Sequence, residues 1–337
     1  MMVRTKRLAV VLAWLAWPGW LAWLALSGLL AHCGDSSDSP EDDGVALPDR
    51  VDPEAGEPAD AIADAAAFAC DPARPFGAPT LIPGLDTSAF YATPRLAPDE
   101  LSLYFTTVVL LDGAQQADLV RAVRTSRSAP FGPAAALTAL DTPQSDNDPM
   151  IASDLRSLWF SSTRSGKSEL YVARRSSPSD ELGMPSLVPG LSGPWPNAHA
   201  YYRLAGPELW FTSDRTDSGG YDIYLAPLQD GSFGAATLVS ELSSPGFEAH
   251  PQISEDGLRI LLASNRPGGA GGFDLWVASR RSTAEKFGAP APLAVVNTAA
   301  DEYGGWISPD GCRLYFSSNR DTDAAPRHRL WYAERAK

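Results

Sequence analysis

Short apolar runs that end in Ser, Thr or Ala recur along the chain at Leu103-Tyr104-Phe105-Thr106, Leu158-Trp159-Phe160-Ser161, Leu209-Trp210-Phe211-Thr212, Ile260-Leu261-Leu262-Ala263 and Leu314-Tyr315-Phe316-Ser317. Their spacings are 55, 51, 51 and 54 residues. An independent motif, Phe-Gly or Leu-Gly followed by small residues or Pro, begins at Phe76, Phe131, Leu182, Phe233 and Phe287 and keeps the same four intervals. Two unrelated motifs with one set of intervals make an internal repeat the natural reading.

Each unit reads as four short strands. An inner strand meets a turn such as Ser308-Pro309-Asp310-Gly311, the apolar run follows, and Ser317-Ser318-Asn319-Arg320 leads toward a third strand such as Leu330-Trp331-Tyr332. The next Phe-Gly segment supplies the fourth. Such units suit the four-stranded blades of a β-propeller. The predicted fold is all-β, a five-bladed propeller with units 76–130, 131–181, 182–232, 233–286 and 287–337. The first Phe-Gly segment precedes its own apolar run, so strand 76–82 is expected to complete the last blade and close the ring, removing open sheet edges.

Ser308-Pro309-Asp310-Gly311 with Leu314 to Arg320, and Ser254-Glu255-Asp256-Gly257 with Ser264-Asn265-Arg266-Pro267-Gly268-Gly269 and Asp274-Leu275-Trp276-Val277, resemble the WD40-like propeller repeats of TolB-type bacterial envelope proteins. The resemblance covers residues 76–337. It implies a propeller in the cell envelope more strongly than it implies any activity. Units one and three depart from it, with Ala97-Pro98-Asp99-Glu100 and Leu204-Ala205-Gly206-Pro207 at the turn.

The N-terminal region changes the picture of location. Arg4, Lys6 and Arg7 precede a 24-residue apolar run, Leu8 to Ala31, which is the form of an export signal over residues 1–32. Leu30-Ala31-His32-Cys33 resembles the lipobox of bacterial lipoproteins, which makes Cys33 the expected lipidation site, with His32 where a small residue is usual. Retention of the run as an uncleaved anchor and cleavage to a secreted form are the alternatives. Residues 35–66 hold 11 Asp/Glu and one Arg, a composition expected to remain a disordered acidic tether within 33–70, ahead of a propeller at 71–337. With 41 Asp+Glu against 27 Lys+Arg and a formal net charge of -14, the chain lacks the basic footprint of a nucleic-acid binder.

Three cysteines remain to be placed. With Cys33 lipidated, Cys70 and Cys312 lie in an oxidising compartment and belong to the same blade, so a ring-closing disulfide is expected; two thiols too far apart to bridge are the alternative.

Candidate chemistry is sought where the inner strands begin. Thr93, Asp148, His199, His250 and Gly304 occupy equivalent places, and Tyr91, Asp146, Asn197, Glu248 and Glu302 stand two residues earlier. Asp146, Asp148, His199, Glu248, His250 and Glu302 are the candidate channel-mouth binding residues. Asp148, His199 and His250 offer a ligand set for a divalent metal, against the plain reading of polar groups that hydrate a channel. The carboxylates Asp146, Asp148, Glu248 and Glu302 offer the pair a glycosidase needs, against the plain reading of solvated acids. Arg164, Arg215, Arg266 and Arg320 repeat at one turn of every unit except the first, where Val109 stands, which favours a structural role over anion binding. Trp159, Trp210, Trp276 and Trp331 are expected in the core.

No catalytic residue and no cofactor is assigned. The expected function is a lipid-anchored or membrane-tethered envelope module, on the periplasmic face or the outer membrane, that binds a protein or polymer without catalysis. A carbohydrate-active or metal-dependent hydrolase working at the channel mouth is the alternative.

Overall fold

The computed structural model describes residues 70–85, 89–111, 114–215, 220–321 and 327–337. The leader, Cys33 and the acidic segment lie outside the described residues. Five antiparallel sheets follow one another along the chain. Their inner strands are Phe90–Leu96, Asp146–Ile151, Asn197–Arg203, Glu248–Ile253 and Glu302–Ile307. Each of these contacts the inner strand of the blade on either side, and the last contacts the first, so the five surround a central axis. This is a five-bladed propeller. Among the described residues no helix is long and apolar enough to cross a membrane.

The apolar runs form the second strands, Ser102–Leu111, Ser157–Ser162, Glu208–Ser213, Arg259–Ser264 and Arg313–Ser318. Sandwiched between neighbouring strands and neighbouring blades, Phe105, Phe160, Phe211, Leu262 and Phe316 are fully buried. Burial of such a side chain contributes about 1.5–3 kcal/mol, which is why the apolar run is the most regular feature of the repeat. Trp159, Trp210, Trp276 and Trp331 are core residues too.

The Phe-Gly segments sit beside the third strands. Gly77, Gly132, Gly183, Gly234 and Gly288 donate backbone N–H groups to Glu334, Val123, Arg174, Pro227 and Ser279. Four of the preceding residues, Phe76, Phe131, Phe233 and Phe287, are buried against the blade edge. The outermost strands that follow are only two residues long, a length that offers little template for edge pairing.

In blade five the outermost strand is Thr80–Leu81, which pairs with Arg329–Glu334 in the register Thr80 to Tyr332 and Leu81 to Trp331. The N-terminal strand therefore closes the ring. Two further links reinforce that seam. Cys70 and Cys312 form a disulfide with their Cα atoms 5.6 Å apart. Glu100 of blade one, 1% exposed, accepts hydrogen bonds from Arg313 Nη1 at 2.6 Å and from the Tyr315 hydroxyl at 2.7 Å, both in blade five. Arg124 and Arg127 add ion pairs to the same carboxylate at 3.6 and 3.7 Å.

Candidate functional site

Every inner strand carries one β-bulge, seen as a register shift between Ala92 and Arg95, Asn147 and Met150, Ala198 and Tyr201, Ala249 and Gln252, and Tyr303 and Trp306. The residues inside those shifts include Thr93, Asp148, His199, His250 and Gly304, with φ of 52, 58, 53, 52 and 63°. A bulge with a left-handed residue turns its side chain out of the ordinary alternation. Gly304 is required at its place: a Cβ there would lie 2.7 Å from the Thr93 Cα.

Hydroxyls on the second strands hold three of these five bulges from the neighbouring blade. The Asp148 N–H donates to Thr106 Oγ1 at 3.1 Å, the His199 N–H to Ser161 Oγ at 3.1 Å, and the Thr93 N–H to Ser317 Oγ at 3.4 Å. The Ser/Thr that ends each of these apolar runs thus stitches one blade to the next around the axis.

The bulges bring Asp148, His199 and His250 together, with one ligand atom from each lying within 4.8 Å of the others. His199 Nε2 lies 3.5 Å from Asp148 Oδ2, and Ser161 donates to the same Oδ2 at 3.2 Å. The two imidazoles stand with centroids 3.7 Å apart. Tyr303 stacks on His250 with centroids 5.4 Å apart, and its hydroxyl shares a hydrogen bond with Nδ1 of His328. Arg95, two residues past the first bulge, donates to the carbonyls of Gly304, at 2.9 Å, and Gly305.

Burial dominates the electrostatics here. It lowers the pKa of His199, opposed by Asp148, and lowers that of His250 well below its ordinary value, assisted by the neighbouring His199 and Arg95. Both imidazoles are therefore neutral at pH 7, the form that ligates metals. Burial pulls the Arg95 guanidinium down to about 10, opposed by Tyr201 and Asp148, which leaves it charged.

His328 supplies a pH test outside this trio. Burial lowers it from 6.5 to about 4, against the pull of Asp301. Between those values the unfolded chain binds a proton that the folded chain refuses, so stability is complete above pH 6.5 and falls as pH drops toward 4. The loss is about 3 kcal/mol for this group alone. His199 and His250 act in the same direction, while Asp141, raised by burial to about 6, acts in the opposite one. Urea unfolding of the parent and of His328→Gln should show the parent losing more stability across this range; parallel curves would contradict a neutral, buried His328.

Asp146, Glu248 and Glu302 require a correction. They do not open onto the channel mouth: all three are fully buried at the blade starts. Asp146 accepts from Thr142 and, at 2.8 Å, from Arg164; Glu248 accepts from Ser244, Ser264 and, at 3.1 Å, Arg266; Glu302 accepts from Thr298 and Ser318 and pairs with Arg320 at 3.2 Å. In blade three Asn197 takes the place of the acid and accepts from Arg215 at 2.7 Å. Each of these arginines also donates to a backbone carbonyl, of Leu140, Leu191, Leu242 or Val296, and lies over an aromatic ring of its own blade. The Ser-x-Arg turn is a clamp on the blade start, and its arginines are structural.

Sequence reasoning missed a second set of arginines. Arg124, Arg175, Arg280 and Arg335 donate to the carbonyls of Glu100, Leu155, Gly257 and Gly311, the left-handed residues of the inner turns. Arg124, Arg280 and Arg335 also lie over Phe131, Phe287 and Phe76. Their spacing matches the repeat, a signal the apolar motifs overshadowed.

No family model matches the chain, and no curated protein matches it. Solved structures with a similar fold include a thermostable family-43 glycoside hydrolase, at 10% identity and a TM-score of 0.54 over 74% of this chain and 91% of that one. An endo-arabinase from Bacteroides thetaiotaomicron VPI-5482 matches at 13% identity and a TM-score of 0.52 over 77% of this chain and 96% of that one. A structure assigned as TolB from Agrobacterium tumefaciens matches at 18% identity and a TM-score of 0.45 over 74% of this chain and 78% of that one. At these identities the likeness is one of fold.

Proposed function

We propose that this chain is an exported propeller, tethered in the bacterial cell envelope through Cys33 or its leader, that binds another envelope protein or a polymer without turning it over. The carrying observation is the fate of the carboxylates at the blade starts. Glycoside hydrolysis needs two carboxyl groups facing one bond, about 5–10 Å apart with access to substrate. Asp146, Glu248 and Glu302 are committed to arginine clamps, and of the four acids considered for such a pair only Asp148 stands at the axis. The glycosidase reading therefore lacks its paired carboxylates, which favours the binding role. The Cys70–Cys312 disulfide supports export, since such bonds persist in oxidising compartments.

Two assays on the same preparations test this reading. Cross-linking in intact envelopes should capture a discrete partner on the parent and lose it in a variant carrying Asp148→Asn, His199→Gly and His250→Gly. Incubation of the purified parent with arabinan, xylan and aryl glycosides should release no sugar. Turnover abolished by Asp148→Asn would replace the binding role with an enzymatic one.

A further inference from the structure

We propose that Asp148, His199 and His250 bind one imidazole-preferring divalent metal ion, of the Zn2+ type, at the axis of the propeller. The inference concerns the chemistry of the axial cluster and stands whether or not the module captures a partner.

The first support is placement. Three consecutive blades each deliver one donor from the same bulge position, and the donors converge within 4.8 Å. Around an ion with bonds of about 2.0–2.1 Å, tetrahedral ligand atoms lie about 3.3 Å apart. The 3.5 Å between His199 Nε2 and Asp148 Oδ2 is already near that value.

The second support is unsatisfied nitrogen. Nδ1 of His199 and Nδ1 of His250 are buried without a hydrogen-bond partner, and His250 is 8% exposed. An unpaired buried polar atom costs about 1–3 kcal/mol. The left-handed backbone at His199 and His250 adds to that cost, since non-glycine residues resist positive φ. An ion bound through Nδ1 of His250 would supply that atom's missing partner, while His199 faces Asp148 with Nε2 and would ligate through that nitrogen.

The donor set selects the ion. Ca2+ and Mg2+ take oxygen ligands, whereas two imidazoles with one carboxylate suit Zn2+ and its neighbours. Asp148 is oriented by Ser161 through Oδ2, the kind of outer contact that fixes a ligating carboxylate.

The test uses the full chain, stripped with chelator and titrated with Co2+ for its visible absorption and with Zn2+ by competition. Variants are His250→Gly, which the left-handed backbone accepts, Asp148→Asn, and His328→Gln as a histidine outside the cluster. The parent and His328→Gln should bind one equivalent with tetrahedral or five-coordinate Co2+ bands, and should melt about 5 °C higher at a hundredfold excess of Zn2+ over Kd. His250→Gly and Asp148→Asn should bind about 100-fold more weakly. Without metal, His250→Gly should be at least as stable as the parent, which separates lost binding from lost folding. Any Zn2+ held by His32, Cys33 or the acidic segment remains in the variants, so the difference is the signal. Equal binding by parent and His250→Gly, or Ca2+ competing as well as Zn2+, would overturn the assignment.

Discussion

Glu100→Ala should cost about 4 kcal/mol of unfolding free energy, equivalent to a fall in Tm of roughly 10 °C. The Glu100 carboxylate is buried between Arg313, itself 2% exposed, Arg124, Arg127 and the Tyr315 hydroxyl, across the boundary between the first and last blades. Removing one partner of a buried pair leaves the other charge without water or counter-ion, which is the costly case. Arg313 also pairs with Glu334, but at 3.1 Å on a half-exposed carboxylate. Backbone strain enters separately, because Glu100 has φ 62° where the fourth and fifth blades place Gly257 and Gly311. Thermal and urea unfolding of Glu100→Ala and Glu100→Gly distinguish the two contributions. Both should be strongly destabilised, with Gly ahead of Ala by about 1 kcal/mol. Parental stability in Glu100→Gly would show that the ion network contributes nothing.

Cys70→Ser or Cys312→Ser should lower stability by up to about 5 kcal/mol, and reductant should do the same to the parent while leaving both variants unchanged. The bond spans a sequence separation of 242, nearly the entire propeller, so cutting it restores a large conformational freedom to the unfolded chain. A structural consequence adds to the entropic one. The closing segment is held by two paired residues, Thr80 and Leu81, an isolated bridge from Phe76 to Arg335, and backbone bonds from Asp71, Gly77 and Ile82 to Ala336, Glu334 and Leu330. Without the disulfide that strand frays more readily and exposes the edge of Arg329–Glu334, a site for pairing with another chain. Differential scanning calorimetry with and without reductant checks the first effect, and light scattering near Tm checks the second. Identical melting of parent and variants in the absence of reductant would refute the staple.

The two features behind these predictions differ in how legible they are. Cys70 and Cys312 can be paired from the repeat, because a closing strand just after Cys70 and an inner hairpin holding Cys312 must share a blade. Glu100 reads in the sequence as a degenerate turn residue in a unit that has lost its Asp-Gly. Its role depends on four side chains, two of them more than two hundred residues away, so nothing local announces it.

The candidate site divides along a similar line. Repeat length fixes the equivalence of Asp148, His199 and His250, and with it their membership in one ring. Sequence reasoning also grouped Asp146, Glu248 and Glu302 with them as polar residues two positions earlier at the inner-strand starts, and on a regular strand residues two apart do face the same way. The bulges break that rule. A left-handed residue in each inner strand sends position 148, 199 or 250 to the axis and leaves position 146, 197 or 248 under an arginine clamp.

The sequence by itself determined the blade number, the strand order, the closing strand and the apolar core, because each follows from periodic burial that every repeat must satisfy. Only the tertiary structure decided which polar residues meet. Three of the five bulges carry Asp or His rather than the glycine that would mark them, and three are held by hydroxyls of a neighbouring blade that accept their N–H groups. The decisive contacts therefore arise between repeats, where a single unit carries no record of its neighbour.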